Sequence, residues 1–223
     1  YGESEINAVV KCLNESTQMG NYSRKFESKI AEVFDKRSCL YVNSGSSALY
    51  IGIEAYNFPE GGEVITPALT FGTTVGCLIK NKLIPVFVDV EPLSYCIDTN
   101  QIEEMITDKT VAILAPNLMG NICDWEKISK IAKAHRLIVI EDSADTLGAK
   151  IGTKSTGYFS DISITSFYGS HVISCGGNGG LLLLDNKKYY EKAKVLRSWG
   201  RMSSLLKDSE DINKRLGIKL KGI

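Results

Sequence analysis

Serine and glycine are concentrated in one short segment of the chain, Asn43-Ser44-Gly45-Ser46-Ser47-Ala48-Leu49, which follows an apolar run. A strand that passes directly into a helix leaves free backbone N–H groups and the positive end of the helix dipole, and both favour a bound phosphate. Gly45 lets the backbone approach an anion closely. A serine that merely caps the helix explains the same pattern, so both interpretations stay open.

Two adjacent carboxylates, Glu141 and Asp142, end the apolar run at residues 137–140. In a parallel sheet the carboxyl ends of the strands face the ligand crevice. A carboxylate there can hold a protonated ring nitrogen of a bound cofactor. A helix N-cap or a magnesium ligand explains the pair about equally well.

Three other side chains suit an aromatic, phosphorylated ligand. Phe71 can stack on a ring, although in isolation a core phenylalanine is the commoner case. Ser166 can offer its hydroxyl to a phosphate or form a local turn bond. His171, five residues later, can exchange protons near neutral pH, although a lone histidine is more often structural. The glycine-rich residues 176–180 do not follow a strand in the dinucleotide-binding pattern.

The elements that position these residues alternate along the chain. Strands are predicted at residues 39–43, 63–66, 85–90, 111–115, 137–140, 162–167 and 181–184, and helices at 46–55, 73–81, 125–135 and 187–197. This alternation predicts an α/β fold, with a mostly parallel sheet and helices on both faces. The near-continuous apolar strands indicate burial on both faces. The polar clusters follow strand ends, where such sheets bind ligands.

The composition argues against several classes of protein. With 26 basic and 26 acidic residues, the chain has no net charge to favour nucleic acid or an anionic membrane. No apolar run approaches the ~20 residues of a membrane span, and the polar start is unlike a secretion signal. The six cysteines are scattered and there are two histidines, which argues against a zinc site. A chain with this much apolar core is also unlikely to need a disulfide framework. We therefore expect reduced thiols in a cytoplasmic protein.

The order of these segments resembles the DegT/DnrJ/EryC1/StrS family of sugar aminotransferases, which has the aspartate aminotransferase (type I) fold. The resemblance covers nearly the whole chain. It is carried by Gly2-Glu3-Ser4-Glu5-Ile6, Phe26-Glu27, the segment at 43–49, Gly62-Glu63-Val64-Ile65-Thr66-Pro67-Ala68-Leu69-Thr70-Phe71, Pro85-Val86-Phe87-Val88-Asp89-Val90, Ile140-Glu141-Asp142-Ser143-Ala144-Asp145 and Ser166-Phe167. It implies that residues 1–223 form the large cofactor-binding domain, without the small C-terminal domain of longer members. Residues 218–223 look like the start of another element.

The resemblance implies pyridoxal phosphate or pyridoxamine phosphate as the cofactor. Backbone amides of Ser46 and Ser47 would hold its phosphate, and Ser166 would add a hydroxyl. The family also implies a homodimer with the active site at the subunit interface, and a nucleotide-linked sugar as the substrate.

The same resemblance implies a set of residues around the cofactor ring. Phe71 would stack on the pyridine ring and Ala144 would pack beneath it. Asp142 would pair with the pyridine nitrogen. Asp145 stands where the aminotransferases usually carry glutamine, near the ring oxygen. His171 stands where they carry the lysine that binds the cofactor covalently.

A group within the family resembles this chain at His171 itself. These are the 3-dehydratases of nucleotide-linked 4-keto-6-deoxysugars, which have histidine there and bind pyridoxamine phosphate without a covalent link. One branch also carries an iron–sulfur cluster, whose cysteines would fall at Ala144 and just after Arg201. This chain has Met202, Ser203 and Ser204 after Arg201, so no cluster and no other metal is expected.

The resemblance thus implies dehydration at the sugar C3, with His171 as the catalytic base and Asp142 as the second catalytic residue. Two other functions stay open. The chain can be a sugar aminotransferase that works with a histidine base, or a homologue that binds the cofactor without catalysis.

Overall fold

The computed structural model describes residues 1–15 and 18–206. In chain order its elements are α1 (Glu3–Glu15), α2 (Asn21–Val33), β1 (Ser38–Val42), α3 (Gly45–Tyr56), β2 (Glu63–Pro67), α4 (Gly72–Lys80), β3 (Ile84–Val88), β4 (Thr110–Pro116), α5 (Trp125–His135), β5 (Ile138–Ser143), β6 (Lys150–Ile151), β7 (Lys154–Ser155), β8 (Ile162–Ser166), β9 (Gly180–Leu184) and α6 (Lys187–Arg197). Short 3₁₀ helices lie at Glu103–Met105, Leu118–Gly120, Thr156–Phe159 and Met202–Leu205. The expectation for residues 218–223 lies outside the described residues.

Seven strands form one sheet in the order β1-β9-β8-β5-β4-β2-β3. The neighbours from β8 to β3 are all paired in parallel. β9 runs antiparallel to both β8 and β1, so β1 points the same way as β8. The predicted mostly parallel α/β fold is confirmed, with β9 as the exception. The chain turns back after β8 through a loop, and an antiparallel neighbour needs no helical crossover.

Helices cover both faces of this sheet. On one face α3, α4 and α6 pack through Leu49, Ile53, Leu78 and Ala193 against the buried strands. On the other face α5 packs through Trp125 and Ile128. α2 covers β1 and β9 on its own part of the sheet, through residues that include Ile30 and Phe34. The core is therefore divided between the two faces of the sheet.

β3 differs from the expected burial on both faces. It lies at the edge of the sheet, and the side chains of Ile84 and Phe87 are 48% and 47% exposed. An edge strand has one neighbour only, so its apolar pattern does not secure burial. In the described part of the chain, no helix has the length and apolar character of a membrane span.

The direction of the strands brings the candidate site together. The carboxyl ends of β1, β2, β4, β5 and β8 lie at one edge, and β9 begins at that edge with Gly180. The segments that follow these ends begin at Asn43, Ala68, Asn117, Ala144 and Phe167. Sequence segments more than a hundred residues apart thus meet at one edge of the sheet.

Candidate active site

The N-terminus of α3 is capped by Ser44. Its Oγ accepts a hydrogen bond from the backbone N–H of Ser47 at 3.1 Å. The Ser46 hydroxyl lies 2.8 Å from the hydroxyl of Thr73 in the first turn of α4. The serine cap considered from the sequence is thus present. Hydroxyls and helix N–H groups are gathered there too, a combination that suits an anion.

Close backbone packing fixes the position of this helix end. A Cβ added to Gly45 would stand 3.0 Å from the Cβ of Ser166, at the end of β8. A Cβ added to Gly180 would stand 2.1 Å from the carbonyl carbon of Ser44, far inside contact distance. Glycine at both positions lets β8, β9 and the start of α3 touch, which places the Ser166 side chain against the anion-binding end of the helix.

Asp142 is the buried penultimate residue of β5, and two hydrogen-bond donors hold its carboxylate. Thr74 Oγ1 donates to its Oδ2 at 2.9 Å, and the backbone N–H of Ala144 donates to its Oδ1 at 3.1 Å. Burial raises the pKa of the Asp142 carboxyl from its usual 3.8 to about 6, more than these hydrogen bonds lower it. The site therefore holds a carboxyl that gains from a positively charged neighbour.

Glu141, the adjacent carboxylate, does not face the same region. It is fully buried, and it accepts hydrogen bonds from the Ser143 hydroxyl at 2.6 Å and from the Asn117 amide and the Ser160 hydroxyl, each at 3.3 Å. Asn117 Oδ1 accepts in turn from the Trp125 indole at 2.9 Å. Glu141 thus belongs to a buried hydrogen-bond network on the face of β5 opposite to Asp142. No helix begins directly after Asp142, since β5 continues to Ser143, and the described residues hold no group of three or more potential metal ligands.

His171 and Asp145 face each other, although 26 positions separate them in the printed sequence. The Nε2 of His171 lies 3.7 Å from Oδ1 of Asp145, and its Nδ1 lies 3.3 Å from the carbonyl oxygen of Ser166. The other carboxylate oxygen of Asp145 accepts from the backbone N–H of Met119 at 3.1 Å. The imidazole is therefore held at the end of β8 and is partly exposed.

Phe71 is the N-cap residue of α4, and its side chain is 70% exposed. The core-phenylalanine interpretation is thus wrong for this chain, because the ring stands free at the site. Ala144 is partly buried and packs against the core on the α3 face of the sheet. Ser166 accepts a bond from the backbone N–H of Tyr168 at 3.3 Å, which is the local turn bond considered above.

These contacts close into a ring. It runs from Ser46 to Thr73, from Thr74 to Asp142 and Ala144, from Asp145 to His171, and from Ser166 to Gly45 at the start of α3. Most residues singled out from the sequence as cofactor contacts lie on this ring or next to one of its members. Phe71 is linked to it through its carbonyl oxygen, which accepts from the backbone N–H of Thr74 at 2.9 Å. Thr73, Thr74, Asn117 and Met119 were not predicted, because nothing in their local sequence distinguishes them from ordinary helix or loop residues.

The ring lies at an open surface. Two surface cavities of about 230 Å³ and 360 Å³ lie elsewhere, the first lined by residues such as Asn57 and Lys82 and the second by residues such as Arg24 and Arg37. Neither is lined by a member of the ring. Ser46, Ser166 and His171 are half-buried, and Thr73 and Asp145 are exposed, so a ligand on the ring would lie at the surface of the single chain.

The sequence and fold have clear relatives. The profile of the DegT/DnrJ/EryC1/StrS aminotransferase family matches residues 1–221. GDP-perosamine synthase of Escherichia coli O157:H7 is 36% identical over 198 residues, which is 88% of this chain and 54% of that protein. dTDP-4-dehydro-2,6-dideoxy-D-glucose 3-dehydratase of Saccharopolyspora spinosa is 37% identical over 207 residues, or 89% of this chain and 45% of that protein.

A solved structure has the same architecture. The E. coli GDP-4-keto-6-deoxy-D-mannose-3-dehydratase with bound hydrated PLP superposes with a TM-score of 0.87 and 30% identity, over 93% of this chain and 55% of that one. The chain thus spans about half the length of the relatives it matches. These relatives include both a GDP-perosamine synthase and 3-dehydratases.

Proposed function

Because the chain belongs to the DegT/DnrJ/EryC1/StrS aminotransferase family, we propose that it forms the large, cofactor-binding domain of a pyridoxal-phosphate enzyme. The substrate is a nucleotide-linked 4-keto-6-deoxysugar, and the reaction is loss of the C3 hydroxyl as water. The observation that carries this proposal is the place of His171 on the ring, between the Ser166 carbonyl and Asp145. The segment 166–180 contains no lysine.

The side chains that form this ring of contacts at the sheet edge fit the cofactor. The start of α3, with the hydroxyls of Ser46 and Thr73, suits its phosphate. The exposed ring of Phe71 suits stacking on a pyridine. The buried carboxyl of Asp142, whose pKa burial raises to about 6, suits a protonated ring nitrogen, because a cation offsets the penalty of burying the charge.

When bound, the pyridoxamine form supplies an amine that condenses with the C4 ketone and a ring that withdraws electrons. Asp142 would hold the proton on the nitrogen of that ring and would so keep the ring electron-poor. His171 would accept at Nε2 the proton lost from the amine-bearing carbon of the cofactor, and would return the same proton to the C3 oxygen as the hydroxyl leaves as water. Because imidazole has no primary amine, His171 cannot bind the cofactor covalently, which favours elimination over amino transfer.

The similarity to GDP-perosamine synthase, 36% over 88% of the chain, favours a second candidate, a sugar aminotransferase with a histidine base. A third candidate, a homologue that binds the cofactor without catalysis, has less support. It gives no reason for Asp142 to keep its Thr74 partner or for Phe71 to stay exposed at the site.

The test compares His171→Asn with the unchanged protein, using mass spectrometry of the sugar product. We expect the unchanged protein to give a product lighter by one water, and His171→Asn to make it at least about 100-fold more slowly, with cofactor affinity within about threefold. His135→Asn, on α5 and outside the ring, is the matched control and should stay active. A product that has gained an amino group would support the aminotransferase, and full activity of His171→Asn would exclude His171 as the base.

Absorbance spectra with and without borohydride complete this test. We expect His171→Lys to bind pyridoxal phosphate as an adduct that borohydride makes permanent. The unchanged protein and His171→Asn should release the cofactor on denaturation. No cofactor absorbance in any of the three, with pyridoxal phosphate added, would support the non-catalytic homologue.

We also infer that two copies of the chain associate. α1 contains no buried residue, and Ile6, Val9, Val10 and Leu13 form an exposed stripe at helical spacing. Val9 approaches the glycine-rich loop, since a Cβ on Gly176 would stand 3.3 Å from it. A second copy seated on this stripe would lie beside the loop that carries His171.

A further inference from the structure

We propose that Asp145 is a positioning residue for His171, which it holds with Nε2 as the working nitrogen. The inference deepens the proposed function and uses contacts of this chain alone. The acceptor on one side of the imidazole and the carboxylate on the other give the two ring nitrogens different roles.

The carbonyl of Ser166 assigns the tautomer. A backbone carbonyl can only accept hydrogen bonds, and it lies 3.3 Å from Nδ1 of His171. Nδ1 must therefore carry a proton for this contact to be favourable. In the neutral ring this leaves the lone pair on Nε2, so Nε2 is the nitrogen that can accept a proton.

Asp145 holds the imidazole from the side of Nε2. Oδ1 of Asp145 lies 3.7 Å from Nε2. Its other oxygen is held by the N–H of Met119 at 3.1 Å, so the carboxylate keeps its direction. The aromatic ring of Tyr168 contacts His171 edge-on, with centroids 5.9 Å apart, and limits rotation of the imidazole.

The contact also sets the task of Asp145 apart from that of Asp142. Asp142 is buried and bound to Thr74, whereas Asp145 is exposed and directed at the imidazole. One carboxylate thus serves the cofactor ring and the other serves the base. Asp145→Asn keeps the shape of the side chain but removes its charge, and Asp145→Glu keeps the charge.

Nuclear magnetic resonance of the nitrogen-labelled protein without cofactor tests the proposal, because the chain has two histidines. His135→Asn assigns the signals. We expect neutral His171 to show the pattern of a proton on Nδ1. In Asp145→Asn the nuclear Overhauser contacts between the rings of His171 and Tyr168 should be lost, because the imidazole is no longer held from its Nε2 side. Asp145→Glu should restore most of these contacts.

The second histidine supplies an internal control. His135 lies 3.3 Å from Glu103, so Glu103→Gln should change the His135 signal and leave His171 unchanged, while Asp145→Asn should do the reverse. A proton on Nε2 of neutral His171, or contacts between His171 and Tyr168 that Asp145→Asn leaves unchanged, would overturn the proposal. Amide spectra of both Asp145 variants show whether each is folded.

This measurement needs neither cofactor nor turnover, so its result is separate from the proposed reaction. If the protein fails to dehydrate sugars while Asp145→Asn changes the His171 signal as expected, the positioning role stands and the proposed function falls. If dehydration occurs and the His171 signal does not respond, the reverse holds.

Discussion

At the scale of single residues, the protonation of Asp142 links stability to function. Its carboxyl is buried, and burial raises its pKa to about 6. Without a positive partner, the ionised form is held at a cost in free energy. A protonated ring nitrogen of the proposed cofactor would reduce that cost, so part of the binding free energy of the cofactor would come from relief of a buried charge.

This predicts a pH-dependent effect of Asp142→Asn on the protein without cofactor. Below the usual value of 3.8 the carboxyl is neutral in the folded and the unfolded chain, and it contributes nothing. As the pH rises from 3.8 to about 6 the unfolded chain ionises first, so the folded state loses stability. Above that range the loss is constant, at about 2–3 kcal/mol. We therefore expect the free energy of unfolding of Asp142→Asn, relative to that of the unchanged protein, to rise by about this amount between pH 4 and pH 8. Urea unfolding at the two pH values measures it.

Asp98→Asn is the control with opposite sign. The backbone N–H of Asn100 and neighbouring side chains hold the pKa of the Asp98 carboxyl below its usual range. Its ionised form therefore stabilises the folded chain above the usual pKa. The free energy of unfolding of Asp98→Asn should thus fall, relative to that of the unchanged protein, as the pH rises. A difference between Asp142→Asn and the unchanged protein that is the same at both pH values would contradict the assignment of burial as the cause.

The sequence predicts which residues form the site better than it predicts their partners. Phe71, Asp142 and Ser166 each carry a local signal at a strand end. The contact of Asp145 with His171 has no such signal, since it depends on how β5 and β8 pair and on the path of the loop after β8. Thr74 and Asn117 escape prediction for the same reason, because their partners are distant in the chain.

At the scale of elements, the junction of α3, β8 and β9 depends on backbone contact. We predict that Gly180→Ala destabilises the protein by at least about 2–3 kcal/mol, because its Cβ would stand 2.1 Å from the Ser44 carbonyl carbon. Gly76→Ala is the matched control. Gly76 lies within α4 with nothing within 4 Å of an added Cβ. The free energy of unfolding of Gly76→Ala should therefore rise by about 0.5–1 kcal/mol.

Urea unfolding of the two glycine variants measures both effects. Gly180→Ala should also weaken phosphate or cofactor binding, because the start of α3 must move, whereas Gly76→Ala should not. Equal stability of the two variants would show that the junction relaxes easily, and the argument for a rigid helix start would fail.

The elements differ in how far the sequence specifies them. The helices at 125–135 and 187–197 match the prediction, since apolar spacing and caps agree there. Asp124 accepts from the Lys127 N–H and Asn186 from the Lys188 N–H. The direction of β9 was not predicted, because a run of four leucines reads the same along a parallel or an antiparallel strand. α1 and α2 were not predicted from the sequence. In α1 the apolar residues face no core of the single chain, since none of its residues is buried.

At the scale of the whole molecule, the exposed stripe of α1 predicts self-association. Sedimentation velocity should show a concentration-dependent dimer. Val10→Glu together with Leu13→Glu should weaken association by at least about tenfold, since charges would replace apolar contacts. Lys11→Glu, on the same helix and 71% exposed, is the control for added acidic charge. A monomer at all concentrations, or an equal effect of Lys11→Glu, would contradict a dimer built on this stripe.

The loop at residues 167–179 is joined at both ends to strands of the same sheet, and β8 and β9 are paired along their lengths. Phe167 belongs to the core and Cys175 packs against it, but the other side chains between residues 168 and 178 are exposed or half-buried, so substitutions at these positions alter little of the core. Such a loop can exchange one reactive side chain for another while the fold persists. Reaction type can then diverge among related chains by single substitutions, and inheritance of the fold is a poor guide to inheritance of the chemistry.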